Sequence, residues 1–178
     1  TAARHLRTPV TVRVDRETET PPEIRHIVYE VDPIAKFTAL RTLLDHRDDG
    51  PILVFGRTKH GVKKLARHLG ELGYPVAALQ GNLSQNARER VMADFRSGGV
   101  PILLATNVAA RGLDVEGIQQ VINYELPESA LLFTHRAGRT GRMGRQGESV
   151  TFITPAEGPK WRQIERALGR APLLIGDP

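Results

Sequence analysis

Residues 51–107 read PILVFGRTKHGVKKLARHLGELGYPVAALQGNLSQNARERVMADFRSGGVPILLATN, and their hydrophobic rhythm alternates between two periods. Ile52–Phe55, Val76–Leu79 and Ile102–Ala105 are short apolar runs, the length of a buried strand. Between them, Val62, Leu65, Ala66 and Leu69, and then Val91, Met92 and Phe95, recur every three or four residues. That spacing puts each set on one face of a helix, over 59–72 and 85–96. Strands that are apolar on both faces and alternate with helices need cover on both sides, which a parallel sheet between helix layers provides. Parallel crossovers are right-handed, so the expected fold is a single α/β domain with an open, doubly wound, mostly parallel sheet.

The alternation continues outward. Residues 24–31 read as a strand with Ile27, Tyr29 and Val31 on one face and Ile24 and Val28 on the other. Residues 33–46 read as a helix whose buried stripe is Ile34, Phe37, Leu40, Leu43 and Leu44. Further strands are expected at 120–123 and 149–153, and helices at 129–137 and 156–168. Residues 1–22 are polar apart from a strand-like alternation at 10–14, and they close on Pro21-Pro22. We assign 1–22 to the end of a preceding domain plus a linker, 23–155 to the domain proper, and 156–178 to a terminal helix and tail.

Composition narrows the function classes. The 178 residues contain no cysteine, which excludes disulfides and thiolate metal sites and suits a cytoplasmic location. No apolar run reaches the ~18 residues of a membrane-spanning helix, and Thr1–Thr20 lacks the apolar stretch of a signal peptide, so no membrane partner is expected. The formal net charge is +5, compatible with nucleic acid or another anionic partner. Of the 25 Lys and Arg residues only Lys36, Lys59, Lys63, Lys64 and Lys160 are lysine, leaving 20 arginines. Arginine's planar fork suits bidentate phosphate contact; a GC-rich or heat-adapted source would produce the same bias.

In a doubly wound sheet, ligands bind at the carboxyl ends of the strands. There this chain places Gly56-Arg57-Thr58, Gln80-Gly81-Asn82 and Thr106-Asn107, each opening a helix. A helix N-terminus offers unpaired N–H groups and partial positive charge to an anion. Thr58, Asn82, Ser84 and Thr106 can cap those helices or turn toward a phosphate, and Arg88 lies one turn into the second. Any one such loop is commonly just a capped helix. Three on one edge, with Arg57 and Arg88 beside them, fit an extended polyanion. No aromatic residue in the loops can stack on a base, so backbone contact without sequence reading is expected.

The segment from His135 to Gly147, HRAGRTGRMGRQG, carries arginines at 136, 139, 142 and 145, glycines at 138, 141, 144 and 147, and no acid. The glycines should end the preceding helix near 138–141. Crowded arginines require an anion or neighbouring carboxylates. Asp114 or Glu125 could serve Arg136; a polyphosphate suits Arg139 and Arg142, in the manner of arginine fingers. Yet the chain has no phosphate-binding loop of the Gly-Lys-Ser/Thr kind and no Asp-Glu pair after an apolar strand to hold magnesium. No serine-hydrolase elbow or zinc-ligand cluster is present either. The machinery that holds a triphosphate is therefore expected on another domain.

These motifs resemble those of the DEAD-box RNA helicases, in order. Residues 52–59 resemble motif IV, 80–88 the Gln-x-x-Arg region, 104–115 motif V, and 121–127 the element after it. His135-Arg-Ala-Gly-Arg-Thr-Gly-Arg142 matches motif VI throughout. The resemblance implies the second, C-terminal RecA-like domain of such a helicase. It implies that Arg139 and Arg142 contact the γ-phosphate of ATP, with Arg142 as the finger, and that Gly112 and Asp114 meet the ribose and phosphates. Arg57, Thr58, Gly81, Gln85, Arg88 and Thr106 would line the RNA backbone, and His135 and Arg136 would couple the two sites. The partners implied are single-stranded RNA and an N-terminal RecA-like domain of the same protein, which would hold Mg²⁺; this chain would hold no metal and would be a monomer, inactive alone. Two positions depart from the pattern: Asn107 stands where the family usually has Asp, and Glu125 replaces another Asp. A stand-alone RNA-binding or regulatory module is the alternative, and half of a DNA helicase a third.

Overall fold

Four apolar residues in a row point two side chains to each face of a sheet, so both faces must be covered. The computed structural model, which describes residues 10–13, 24–80, 82–113, 115, 117–141 and 147–169, meets that requirement. Its strands are β1 (Val10–Arg13), β2 (Ile24–Glu30), β3 (Ile52–Phe55), β4 (Val76–Leu79), β5 (Ile102–Ala105), β6 (Gln120–Asn123) and β7 (Gly147–Ile153). Its helices are α1 (Lys36–Asp45), α2 (Lys59–Glu71), α3 (Gln85–Ser97), α4 (Asn107–Ala110), α5 (Ala130–Ala137) and α6 (Gly158–Ala167). The seven strands lie in the order β1-β2-β7-β6-β3-β5-β4. All neighbours are parallel except β1, which pairs antiparallel with β2 on the edge.

The parallel, doubly wound expectation is met. From β3 the chain moves through α2 and α3 to β4 and β5 on one side, then crosses to β6 and β7 on the other. The direction of winding therefore reverses at the neighbouring strands β3 and β6, whose carboxyl ends form the crevice where such folds take ligands.

One face buries Ile52, Val54, Ile102, Leu104, Ile122 and Val150 under α1 and α2, through Leu40, Leu44, Val62 and Leu69. The opposite face buries Leu53, Phe55, Leu103 and Val121 under Met92 and Phe95 of α3 and the loop after α4. A third cluster seats Phe133 of α5 and Trp161 and Ile164 of α6 on Val28 and Ile153. Each large side chain so buried contributes roughly 1.5–3 kcal/mol of transfer free energy.

Two expectations need correction. Ile34 is 90% exposed rather than part of the buried stripe. Pro33–Ala35 form a 3-10 turn ahead of α1, whose three-residue period shifts the phase and buries Ala35 instead. The last strand begins at Gly147, two residues before the expected start, because β7 extends along the full length of β2. Among the described residues no helix is long and apolar enough to cross a membrane.

Candidate functional site: the carboxyl edge of the sheet

The three loops gather on one edge, and each uses a hydroxyl to start its helix. Thr58 Oγ1 accepts from the Gly61 N–H (3.0 Å), Ser84 Oγ from Ala87 (3.1 Å) and Thr106 Oγ1 from Ala109 (3.3 Å). A capping hydroxyl is occupied only as an acceptor, so its own O–H can still donate to a phosphate oxygen. Gly56 leaves no room for a side chain: a Cβ there would collide with Val62 Cγ2 from the first turn of α2. Glu125 fixes the loop from the β6 side. Its Oε1 accepts from the Arg57 N–H at 3.1 Å, and its Oε2 lies 3.9 Å from Arg57 Nε. The Arg57 side chain remains 58% exposed, so the pair is weak and the guanidinium stays accessible.

Arg88 reaches across to α4, donating from Nη1 to the Ala109 carbonyl at 3.0 Å. It thereby ties the second loop to the third and keeps other N–H donors for an anion. Gln85, at the start of α3, donates to Glu89 Oε1 at 3.0 Å and is exposed. Gly81, expected among these residues, lies outside the described residues.

Arg136 is the hub of the edge. Helical spacing from Phe133 turns it inward, and it is 2% exposed. Its Nε donates to Asn107 Oδ1 at 2.6 Å, and its Nη1 to Asn123 Oδ1 at 3.1 Å and to the Glu125 carbonyl at 2.9 Å. The guanidinium carbon lies 5.0 Å from the centre of the Phe55 ring. One side chain thus joins the ends of β3 and β6 and the start of α4 to α5. Burial pulls its pKa down to about 10, partly offset by the charges of Glu125 and Glu128. It stays charged at neutral pH. Of the two carboxylates expected beside Arg136, Asp114 lies outside the described residues, and Glu125 gives Arg136 its backbone oxygen while its carboxylate bonds Arg57 and reaches Arg136 only through its charge. Asn107, the departure from the family pattern, keeps the hydrogen bond and supplies no charge.

Beside this hub, between α4 and α5, lies a cleft of about 260 Å³ whose walls include Val108, Arg111, Leu132, His135, Arg136 and Arg139. Its described lining contains four basic side chains and no carboxylate. Arg139 is half-buried at its wall and donates from Nη1 to the Leu113 carbonyl at 2.9 Å. His135 is exposed. Gly112 turns the chain after α4 with φ +76°, a conformation costly for other residues, and its Cα faces open space. Asp114 and Arg142 lie outside the described residues. Among those described, no three His, Asp or Glu side chains are placed to hold a metal ion.

Two participants escaped the sequence reading. Asn123 is fully buried, its amide donating to Thr151 Oγ1 at 3.0 Å while its oxygen accepts from Arg136. A lone Asn ending an apolar strand was the available signal, because a buried amide must be paired. Arg111 lines the cleft but was quoted only within its motif.

A family model for the helicase conserved C-terminal domain matches residues 35–144. The DEAD-box ATP-dependent RNA helicase CshA of Geobacillus kaustophilus is 41% identical over 169 residues, 95% of this chain and 36% of that protein. The chain therefore spans about a third of the length of that curated relative. Among solved structures, the C-terminal domain of the DEAD-box protein Dbp5 superposes with a TM-score of 0.74 at 30% identity, covering 85% of this chain and 87% of that one. Saccharomyces cerevisiae Dbp5 bound to RNA and ADP BeF3 gives a TM-score of 0.78 at 28% identity, covering 93% and 42%. With its parallel RecA-like sheet and its motifs gathered at the carboxyl edge, the chain belongs to the DEAD-box RNA helicases as their C-terminal helicase domain.

Proposed function

We propose that this domain completes an ATP site held by a preceding RecA-like domain and grips part of an RNA backbone, and that it hydrolyses no ATP alone. The observation that carries the reading is the cleft between α4 and α5. It brings Arg111, His135, Arg136 and Arg139 together with no carboxylate in its described lining, a positive surface suited to an anion arriving from outside. Arg139 and Arg142 face the γ-phosphate, and Gly112 and Asp114 meet the ribose and phosphates. The preceding domain holds Mg²⁺. Arg57, Thr58, Gly81, Gln85, Arg88 and Thr106 line the RNA backbone in the cytoplasm of the cell. His135 contacts the other domain directly. Arg136, being buried, couples the two ligand surfaces by keeping α4, β3 and β6 in register with α5 (a positioning role).

The mechanism is a clamp. Domains dock when ATP and single-stranded RNA bridge them. Docking sets the arginines on the γ-phosphate, where charge develops during transfer, and bends the bound strand so that a short duplex opens. Hydrolysis removes the bridging charge and the domains part. The similarity to a Dbp5 structure bound to RNA and ADP BeF3 supports this reading.

The test compares ATP turnover by the 178-residue chain alone and joined to a DEAD-box first domain, with single-stranded RNA or DNA added. No turnover is expected alone, and RNA-dependent turnover from the joined protein, with DNA the poorer activator because it lacks the 2′-hydroxyl. RNA-stimulated turnover by the isolated chain would contradict the proposal. RNA binding without ATPase in the joined protein would favour a stand-alone binding module.

A further inference from the structure

The outward face of α2 carries a charge pattern that neither the ATP cleft nor the three loops use. Lys59, Lys63, Lys64, Arg67, His60 and His68 are all exposed, and the first acid is Glu71, the last residue of the helix. Two other helices set acids among their cations. α3 sets Glu89 and Asp94 among Arg88, Arg90 and Arg96, and α1 sets Asp45 against Lys36 and Arg41. Among the described residues, none of the four Lys and Arg side chains of α2 has an ion-pair partner.

Helical spacing arranges these residues in two ridges, 59-63-67 and 60-64-68, with successive members about 6 Å apart along the axis. Like charges at this spacing cost an isolated helix a few tenths of a kcal/mol per pair, a cost that a bound polyanion would reverse. The second ridge borders a cleft of about 370 Å³ between α1 and α2, whose lining includes Phe37, Lys64, His68 and Tyr124 and, toward Gly56, the carboxylate-bearing Glu125. His68 stacks on Phe37 at 4.7 Å, and Lys36 lies 5.6 Å from the centre of the Tyr124 ring. The cleft opens at the loop where α2 begins, the capped Thr58 of the proposed backbone track.

We propose that the face of α2 bearing Lys59, Lys63 and Arg67 is a second RNA-backbone surface, continuous with the three-loop track at Thr58, holding the strand segment that leaves that track. This rests on the RNA track proposed above and extends it along the helix.

The test measures binding of labelled oligouridylates of about 6 and about 15 nucleotides, spanning the site sizes of such surfaces, to the 178-residue chain across a salt series. The variant combines Lys59→Gln, Lys63→Gln and Arg67→Gln, with thermal unfolding as the folding control. For the long oligomer the salt slope should fall by about 2, at ~0.7 per lost phosphate contact on a single strand, with at least about tenfold weaker binding at low salt. The short oligomer should bind as before. Arg88→Ala is the control for the track and should weaken both lengths. An unchanged slope on the long oligomer would overturn the proposal, as would an equal loss on both lengths or equal competition by poly-glutamate of matched charge. If Arg88→Ala leaves both lengths unaffected, the loop track itself fails, and continuity with it fails too.

Discussion

The helices α5 and α2 both carry positive charge, and the fold treats the two in opposite ways. In α5, Arg136 is withdrawn from water and met by three oxygens without formal charge: two from asparagine amides and one from a backbone carbonyl. In α2, the cations stand in solvent and none has an ion-pair partner among the described residues. Burial makes Arg136 a structural joint whose loss must be felt throughout the edge. Exposure makes the α2 cations nearly irrelevant to the fold and available to a partner. The oxygens that bond Arg136 directly are uncharged, and the charges of Glu125 and Glu128 offset only part of the effect of its burial.

The contrast is broken most severely at the joint. Arg136→Leu strands the oxygens of Asn107, Asn123 and Glu125, and urea unfolding should show a loss of about 3–5 kcal/mol, as for other broken buried charge networks. The α2 triple variant should remain within about 0.5 kcal/mol of the parent in the same experiment.

Asn107 sharpens the comparison. Asn107→Ala leaves the Arg136 Nε donor unpaired and should cost about 1–3 kcal/mol. Asn107→Asp supplies the missing carboxylate and should raise the melting temperature at neutral pH. Pairing depresses the folded pKa of the new Asp, so the gain is present above its ordinary value of about 3.9 and is lost as pH falls through the depressed value. For Arg136 the contribution at neutral pH is a cost rather than a gain, although stability again rises with pH through the window. With its folded pKa lowered to about 10, the cost of burying its charge is constant below that pH. It is relieved as pH rises from there toward the ordinary value, where the unfolded chain binds the extra proton.

A smaller effect is expected at α6. Glu165 is buried, its Oε2 accepts no hydrogen bond, and burial raises its pKa to about 7, opposed by Arg162. The folded state therefore favours the protonated acid. Its contribution is most favourable below the ordinary carboxylate pKa and is lost as pH rises through about 7. Glu165→Gln should raise the melting temperature by a few degrees at pH 8 and leave it unchanged near pH 4; differential scanning calorimetry at the two values checks this.

Most of the architecture was readable in residues 51–107, because strands buried on both faces leave apolar runs that surface elements cannot imitate. Ile34 was misread because periodicity assumes 3.6 residues per turn, and the chain enters α1 through a tighter turn. The pairing of β1 with β2 was not legible: edge strands pair through backbone groups, which leave little trace in side-chain pattern. At the site, the capping residues Thr58, Ser84 and Thr106 were readable because a helix N-terminus demands a specific acceptor. What distinguishes Arg136 from Arg139 was present but unused. Position 136 continues the buried stripe of Phe133, whereas 139 follows Gly138, past the end of the helix. The charge ladder alone makes the two look alike.

The central claim is that guanidinium groups in this domain act on a triphosphate held elsewhere. Its most direct test is the RNA-dependent ATPase rate of the chain joined to a DEAD-box first domain, measured with Arg142→Ala and, separately, Arg139→Ala, with unfolding curves to confirm intact folds. Arg142→Ala should lower kcat by about 10³-fold or more, in the range of arginine fingers, while RNA affinity stays near that of the parent. A loss smaller than about 10²-fold in both variants would contradict the account.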